Sequence, residues 1–183
     1  MNWNEHWNLK NKHAFLSASK YHWINYDADR LISVYQNWKA KERGTRLHEF
    51  ACEAITLGVK LSHSKRTLNQ YVNDAIGFGM TPELILYYSD NCFGTADAIS
   101  FDGELLRIHD LKTGVTTASF HQLEIYTALF CLEYNYDPHD IDIVLRIYQS
   151  DEVLECSPDP SAIVDIMNTI VDFDRVIESL KEG

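Results

Sequence analysis

The sequence predicts an α/β fold, a mixed central sheet flanked by helices. Three observations carry that reading. Two strand-like runs with alternating side chains surround Asp102-Gly103, a dipeptide suited to a hairpin turn. Apolar runs of strand length lie on either side of that hairpin, at residues 83–89 and 141–149. Stretches with apolar residues at helical spacing fall before, between and after the strands. The order is helix, three strands, helix, strand, with extra N-terminal helices and a C-terminal helix. The 183 residues are read as one domain: a helical extension over 1–43, a core over 44–149 and a closing helical segment over 150–183.

Taken in order, residues 1–12 are polar around Trp3 and Trp7 and read as a loosely held arm. Ser17 or Ser19 is placed to cap a helix beginning near Lys20, with Leu16 as its apolar staple. Asp27 or Asp29 is placed to cap the next helix, about 30–40, where Leu31, Val34, Tyr35 and Trp38 share a stripe suited to core packing or to stacking on bases. Gly44 to Lys60 reads as a third helix, with Leu47, Ala51, Ala54, Ile55 and Gly58 on its buried stripe. Thr67 to Asp74 is helical. Glu83 to Ser89 is a strand apolar enough to be covered on both faces. Beyond the hairpin, Ser119 and Gln122 form an S-x-x-Q capping box for a helix from Phe120 to Tyr134. Ile141 to Gln149 is the fourth strand, and a final amphipathic helix covers 159–181.

Charge and composition bound the function. No apolar run approaches the roughly 18 residues of a membrane span, and the N-terminus lacks the layout of a secretory signal. An intracellular, cytoplasmic protein without a membrane partner is expected. Net charge is −11, which opposes tight binding to phosphates. The distribution is uneven: residues 1–66 carry net +5 and residues 67–183 net −16. Lys39, Lys41, Arg43, Arg46, Lys60, Lys65 and Arg66 gather in the first part, as on a DNA-facing or simply a solvated helix surface. Were that surface to meet DNA, a partner protein or a homo-oligomer is expected to supply the missing grip.

The hairpin holds the chemistry. With a two-residue turn at Asp102-Gly103, Phe101 pairs with Glu104, Ile99 with Leu106 and Asp97 with Ile108. Ile99, Phe101, Leu106 and Ile108 then share one face, and Asp97, Asp110 and Lys112 cluster at its far end. Two carboxylates so placed, diagonal neighbours about 7–8 Å apart, suit one hard cation such as Mg2+ or Mn2+. Lys112 faces the same centre and is placed to position a water and offset charge on a transferring phosphoryl group. His48, beside the buried stripe of its helix, is either a third ligand or a histidine hydrogen-bonded at a core edge, with Glu49 and Glu53 as fallback acids.

These residues resemble motifs of the PD-(D/E)XK nuclease superfamily, most closely its RecB-like and phage exonuclease branch. Gly94-Thr95-Ala96-Asp97 is similar to G-x-x-D, and Asp110-Leu111-Lys112-Thr113-Gly114 to D-x-K-T-G. Gln122 to Tyr126 is similar to Q-x-x-x-Y, and Gly44 to Glu49 to an upstream histidine motif. The resemblance implies a restriction-endonuclease-like αβββαβ core. It implies metal held by His48, Asp97, Asp110 and the Leu111 carbonyl, with Gln122 and Tyr126 orienting Lys112 near the scissile phosphate. The branch's iron–sulfur cluster is not expected, because Cys52, Cys92, Cys131 and Cys156 lack close spacing and read as buried thiols. The function expected is a Mg2+- or Mn2+-dependent deoxyribonuclease, an exonuclease on DNA ends in phage-type recombination or replication, leaving 5′-phosphates. The alternative is a non-catalytic nucleic-acid-binding or assembly module on the same fold. A zinc hydrolase lacks the spacing it needs, since His48-Glu49 has no second histidine to form H-E-x-x-H.

Overall fold

Alternation and β-branched content in the middle of the chain produce five strands in the order β1-β2-β3-β4-β5. They are β1 (Thr81–Ser89), β2 (Cys92–Phe101), β3 (Leu105–Leu111), β4 (Asp142–Gln149) and β5 (Glu152–Cys156). The helices are α1 (Ala28–Thr56), α2 (Thr67–Gly77), α3 (His121–Tyr134) and α4 (Pro160–Lys181), preceded by a 3-10 helix, Ala18–Asn25. This computed structural model describes residues 14–114 and 116–181. The expected arm with Trp3 and Trp7 lies outside the described residues. The chain divides into two compact units, Met1–Thr45 and Arg46–Gly183. None of the helices in the described residues is long and apolar enough to cross a membrane.

In the first unit, the serines near Lys20 do not cap a helix with their side chains. Ser17 Oγ bonds Ser19 Oγ, and the segment winds as 3-10 helix with Lys20 off helical geometry. Asp27 does cap α1, accepting from the Arg30 amide at 2.8 Å. Phe15 packs edge-on against Tyr35 and beside Trp38, leaving the helical aromatics partly exposed. One helix runs where two were expected. A glycine inside a helix costs only about 1 kcal/mol relative to alanine, so Gly44 does not end α1. The helix stops instead at Thr56, where Gly58 takes φ +66 and the Val59 amide bonds the Ala54 carbonyl.

The second unit is built on the sheet. β1 to β3 run antiparallel, β3 and β4 are parallel through the α3 crossover, and β5 is antiparallel to β4. One face carries Ile99, Leu106, Ile108, Leu145 and Ile147 against Leu123 and Leu129 of α3 and Ile163 of α4. The other carries Ala98, Leu111 and Tyr148 against Tyr71, Val72 and Ala75 of α2 and Ala51, Ala54 and Ile55 of α1. The architecture is α/β, with a mixed sheet between helices.

Three expectations change. Phe101 pairs with Leu106 and Ile99 with Ile108, so the hairpin register is two residues from the one a type I′ turn gives. Asp102 Oδ1 accepts the amides of Glu104 and Leu105 at 3.1 and 2.8 Å, closing a longer loop with Gly103 at φ +104. A shift of two leaves Ile99, Phe101, Leu106 and Ile108 together on one face, as expected. β1 is an edge strand and only half covered: Leu86 is wholly buried, whereas Ile85 and Tyr87 are exposed. A fifth strand follows a tight turn at Ser150 and Asp151, both at positive φ. Asp151 also takes the Thr67 amide at 2.8 Å and so caps α2.

Candidate metal centre

Strand alternation breaks where the chemistry gathers. Ala96 and Ile99 both belong to the α3-side core, while Ala98 belongs to the opposite one. Residues three apart on a regular strand face opposite ways. The ladder between Thr81–Ile99 and Tyr87–Phe93 skips only Glu83 and Asp97. Glu83 has φ 51, a conformation that costs a non-glycine residue about 1–2 kcal/mol. The pair is therefore an irregularity that inverts both strands and turns two carboxylates out of the ladder.

α1 supplies the third group. His48 stands one turn before Ala51, which is fixed in the α2-side core, so its ring is held toward the sheet. Its Nδ1 is 3.4 Å from Asp97 Oδ2. Ligand atoms of His48, Glu83 and Asp97 all lie within 4.8 Å of one another. The Asp97 oxygen also accepts the Leu111 amide at 2.9 Å, which anchors the β2 carboxylate to β3.

Asp110 is not one of that group, although it lies near enough for the charge of Asp97 to act on it. Its Oδ1 receives Lys112 Nζ at 2.9 Å, and its Oδ2 is buried without a partner. Lys112 Nζ also donates to Gln122 Oε1 at 2.8 Å, and Gln122 Nε2 donates to Tyr126 Oη at 3.0 Å. The Tyr126 ring lies over Gly94, where a Cβ would come within 2.8 Å of it. The expected capping box does not form. Gln122 turns to Lys112, and the His121 amide meets Ser119 Oγ at 3.3 Å.

The electrostatics follow from crowding. Burial, then the charge of Asp97, pushes the Asp110 carboxyl above the ordinary carboxylate range despite Lys112. Partial burial and Asp97 push Glu83 the same way. The hydrogen bond to Asp97 raises His48 against the opposing effect of its own burial. The Tyr71 hydroxyl is also pushed up, first by burial and then by Asp97, Glu83 and Asp110. Excess negative potential of this kind is relieved by a cation. One imidazole and two carboxylates, from His48, Glu83 and Asp97, make a donor set that could hold a metal ion.

No family model, curated protein or solved structure matches this chain.

Of the residues singled out in the sequence, Asp110, Lys112, Gln122 and Tyr126 form one hydrogen-bonded chain, while His48 and Asp97 share the group with Glu83. Leu111 joins it through its backbone, with its side chain in the α2-side core. Glu49 and Glu53 are not part of the grouping, and Glu83 stands where they were the fallback. Glu83 escaped sequence reading because it looked like the first residue of an apolar strand. Its one local signal is Thr81-Pro82 just before it, since a proline entering a strand marks an edge or an irregularity.

Proposed function

We propose that the protein is a divalent-metal-dependent deoxyribonuclease of the PD-(D/E)XK type, acting on DNA ends and leaving 5′-phosphates. The observation that carries this reading is the convergence of His48, Glu83 and Asp97, with Asp110 near enough to feel the Asp97 charge and tied to Lys112. Apart from α2 between α1 and β1, the element order from α1 through β1 to β3 and α3 to β4 is compatible with a restriction-endonuclease-like αβββαβ core.

In this reading Asp97, Asp110, His48 and Glu83 hold Mg2+ or Mn2+, joined by the Leu111 carbonyl. The bound ion supplies a water of lowered pKa and a polarised phosphoryl oxygen. Lys112 has three ammonium hydrogens, of which Asp110 and Gln122 take two. The third is available to the attacking water or to a phosphoryl oxygen. The water oxygen bonds to phosphorus as the P–O3′ bond breaks, and the departing 3′-oxygen gains a proton. Gln122 holds the Lys112 head in place and is itself held by Tyr126.

Cleavage of end-labelled DNA with Mn2+ tests this, comparing parent, Lys112→Ala and Asp110→Ala. Cleavage by the parent and loss of at least about 100-fold in both variants is expected. Equal cleavage by all three rejects the site. DNA bound but uncut by all three makes the chain a binding module.

A further inference from the structure

We infer that Tyr87 and Phe93 form a stacking subsite for unpaired bases of a DNA strand running outward from the metal centre, an inference that rests on the nuclease reading above. The two rings stack with centroids 6.4 Å apart and planes 27° apart. They remain 44% and 61% exposed, unusual for large aromatics on a strand pair. Leu86 and Ala96 turn toward α3, so Tyr87, Phe93 and Ile85 turn to the other face, the side on which α1 brings in His48. The register ties them to the site. Outward from Glu83 and Asp97 come Ile85 opposite Thr95, then Tyr87 opposite Phe93. Four residues of strand place Phe93 about 13 Å from Asp97, within reach of a short run of nucleotides.

The nuclease reading supplies the occupant, a base of the DNA strand held at the candidate metal group. With 16 Lys+Arg against 27 Asp+Glu, phosphate contacts alone give this chain little grip on DNA. Stacking on aromatic rings tolerates any sequence and adds to the grip that cationic side chains give. A second copy adding its own strand to edge strand β1 meets an obstacle, because Glu133 Oε2 already accepts the Tyr87 amide at 2.7 Å. Asp90 holds the Tyr87 hydroxyl at 2.9 Å, which fixes that ring beside Phe93. What remains open is the ring surface.

The test uses the full chain in metal-free buffer and fluorescence anisotropy with a labelled dT12 and an abasic strand of equal length. The parent should bind dT12 more tightly than the abasic strand. Phe93→Ala should weaken dT12 binding about 5- to 100-fold, toward the abasic level, while Phe93→Trp retains it. Both side chains are exposed, and circular dichroism checks that the variants fold. Equal affinity for the two strands in the parent overturns the subsite, as does unchanged dT12 binding in Phe93→Ala. Conversion of a parent dimer to monomer by Phe93→Ala with dT12 binding unchanged also overturns it and identifies an interface between copies. Base-dependent binding lost in Phe93→Ala, in a parent that cuts no DNA with Mn2+, upholds the subsite and refutes the nuclease reading alone.

Discussion

His48 Nδ1 lies 3.4 Å from Asp97 Oδ2, the oxygen that also accepts the Leu111 amide at 2.9 Å. One carboxylate thus joins α1, β2 and β3. Because Asp97 raises the pKa of His48, the imidazole carries a proton into a higher pH range than a free histidine. A cation must displace that proton, so Mn2+ affinity should rise with pH through and above about 6.5. Calorimetry in buffers of different ionisation enthalpy should show proton release on Mn2+ binding. His48→Gln should reduce the release and weaken binding at least about 10-fold.

Asp110 predicts a gain of stability at the expense of function. Its folded pKa lies above its unfolded value, so the folded state binds more protons and the metal-free protein loses stability as pH rises from about 4 through that raised pKa. Asp110→Asn removes the charge. Its metal-free form should melt about 2–4 °C higher near neutral pH, a gain of about 1 kcal/mol. Thermal melts with and without Mn2+ check this, since the variant should also lose the stabilisation that Mn2+ gives the parent.

Gly94 tests the Lys112–Gln122–Tyr126 chain from outside. A Cβ at 2.8 Å from the Tyr126 ring forces that ring to move, and Gln122 loses its anchor. Gly94→Ala should lower kcat about 10- to 100-fold while leaving Mn2+ affinity unchanged. Tyr126→Phe, which deletes the hydroxyl and keeps the ring, should give a smaller loss in the same assay.

His109 lies next to Asp110 in sequence and on the other face of the sheet, wholly buried beneath Phe78 and bonded to Tyr148 Oη at 3.2 Å. Burial, with Arg146 and Arg107 nearby, pushes its pKa down to about 3. The unfolded chain therefore takes up the proton first. Stability on this account is complete above about pH 6.5 and declines as pH falls toward 3, by up to about 1.4 kcal/mol per unit. Urea unfolding at stepped pH should show that slope, and His109→Gln should flatten it.

Much of the fold is legible in the sequence because helical and strand spacing report which face is buried. That signal placed α2, α3, α4 and β4 within a few residues, and it put Ile99, Phe101, Leu106 and Ile108 on one face. What local pattern does not encode is how side chains rearrange the backbone. Asp102 takes two amides and moves the hairpin register by two residues. β5 hides because four of its five residues are exposed and its turn has neither glycine nor asparagine. The candidate site shows the same division. Asp97, Asp110 and Lys112 announce themselves by spacing around one hairpin, whereas Glu83 joins Asp97 and His48 through a strained φ on a different strand.

A crystal soaked in Mn2+ and measured at the manganese absorption edge gives the most direct test of the metal centre. An anomalous peak bounded by His48, Glu83, Asp97 and the free oxygen of Asp110 is the predicted result. A peak elsewhere, or none at these carboxylates at saturating Mn2+, would contradict it.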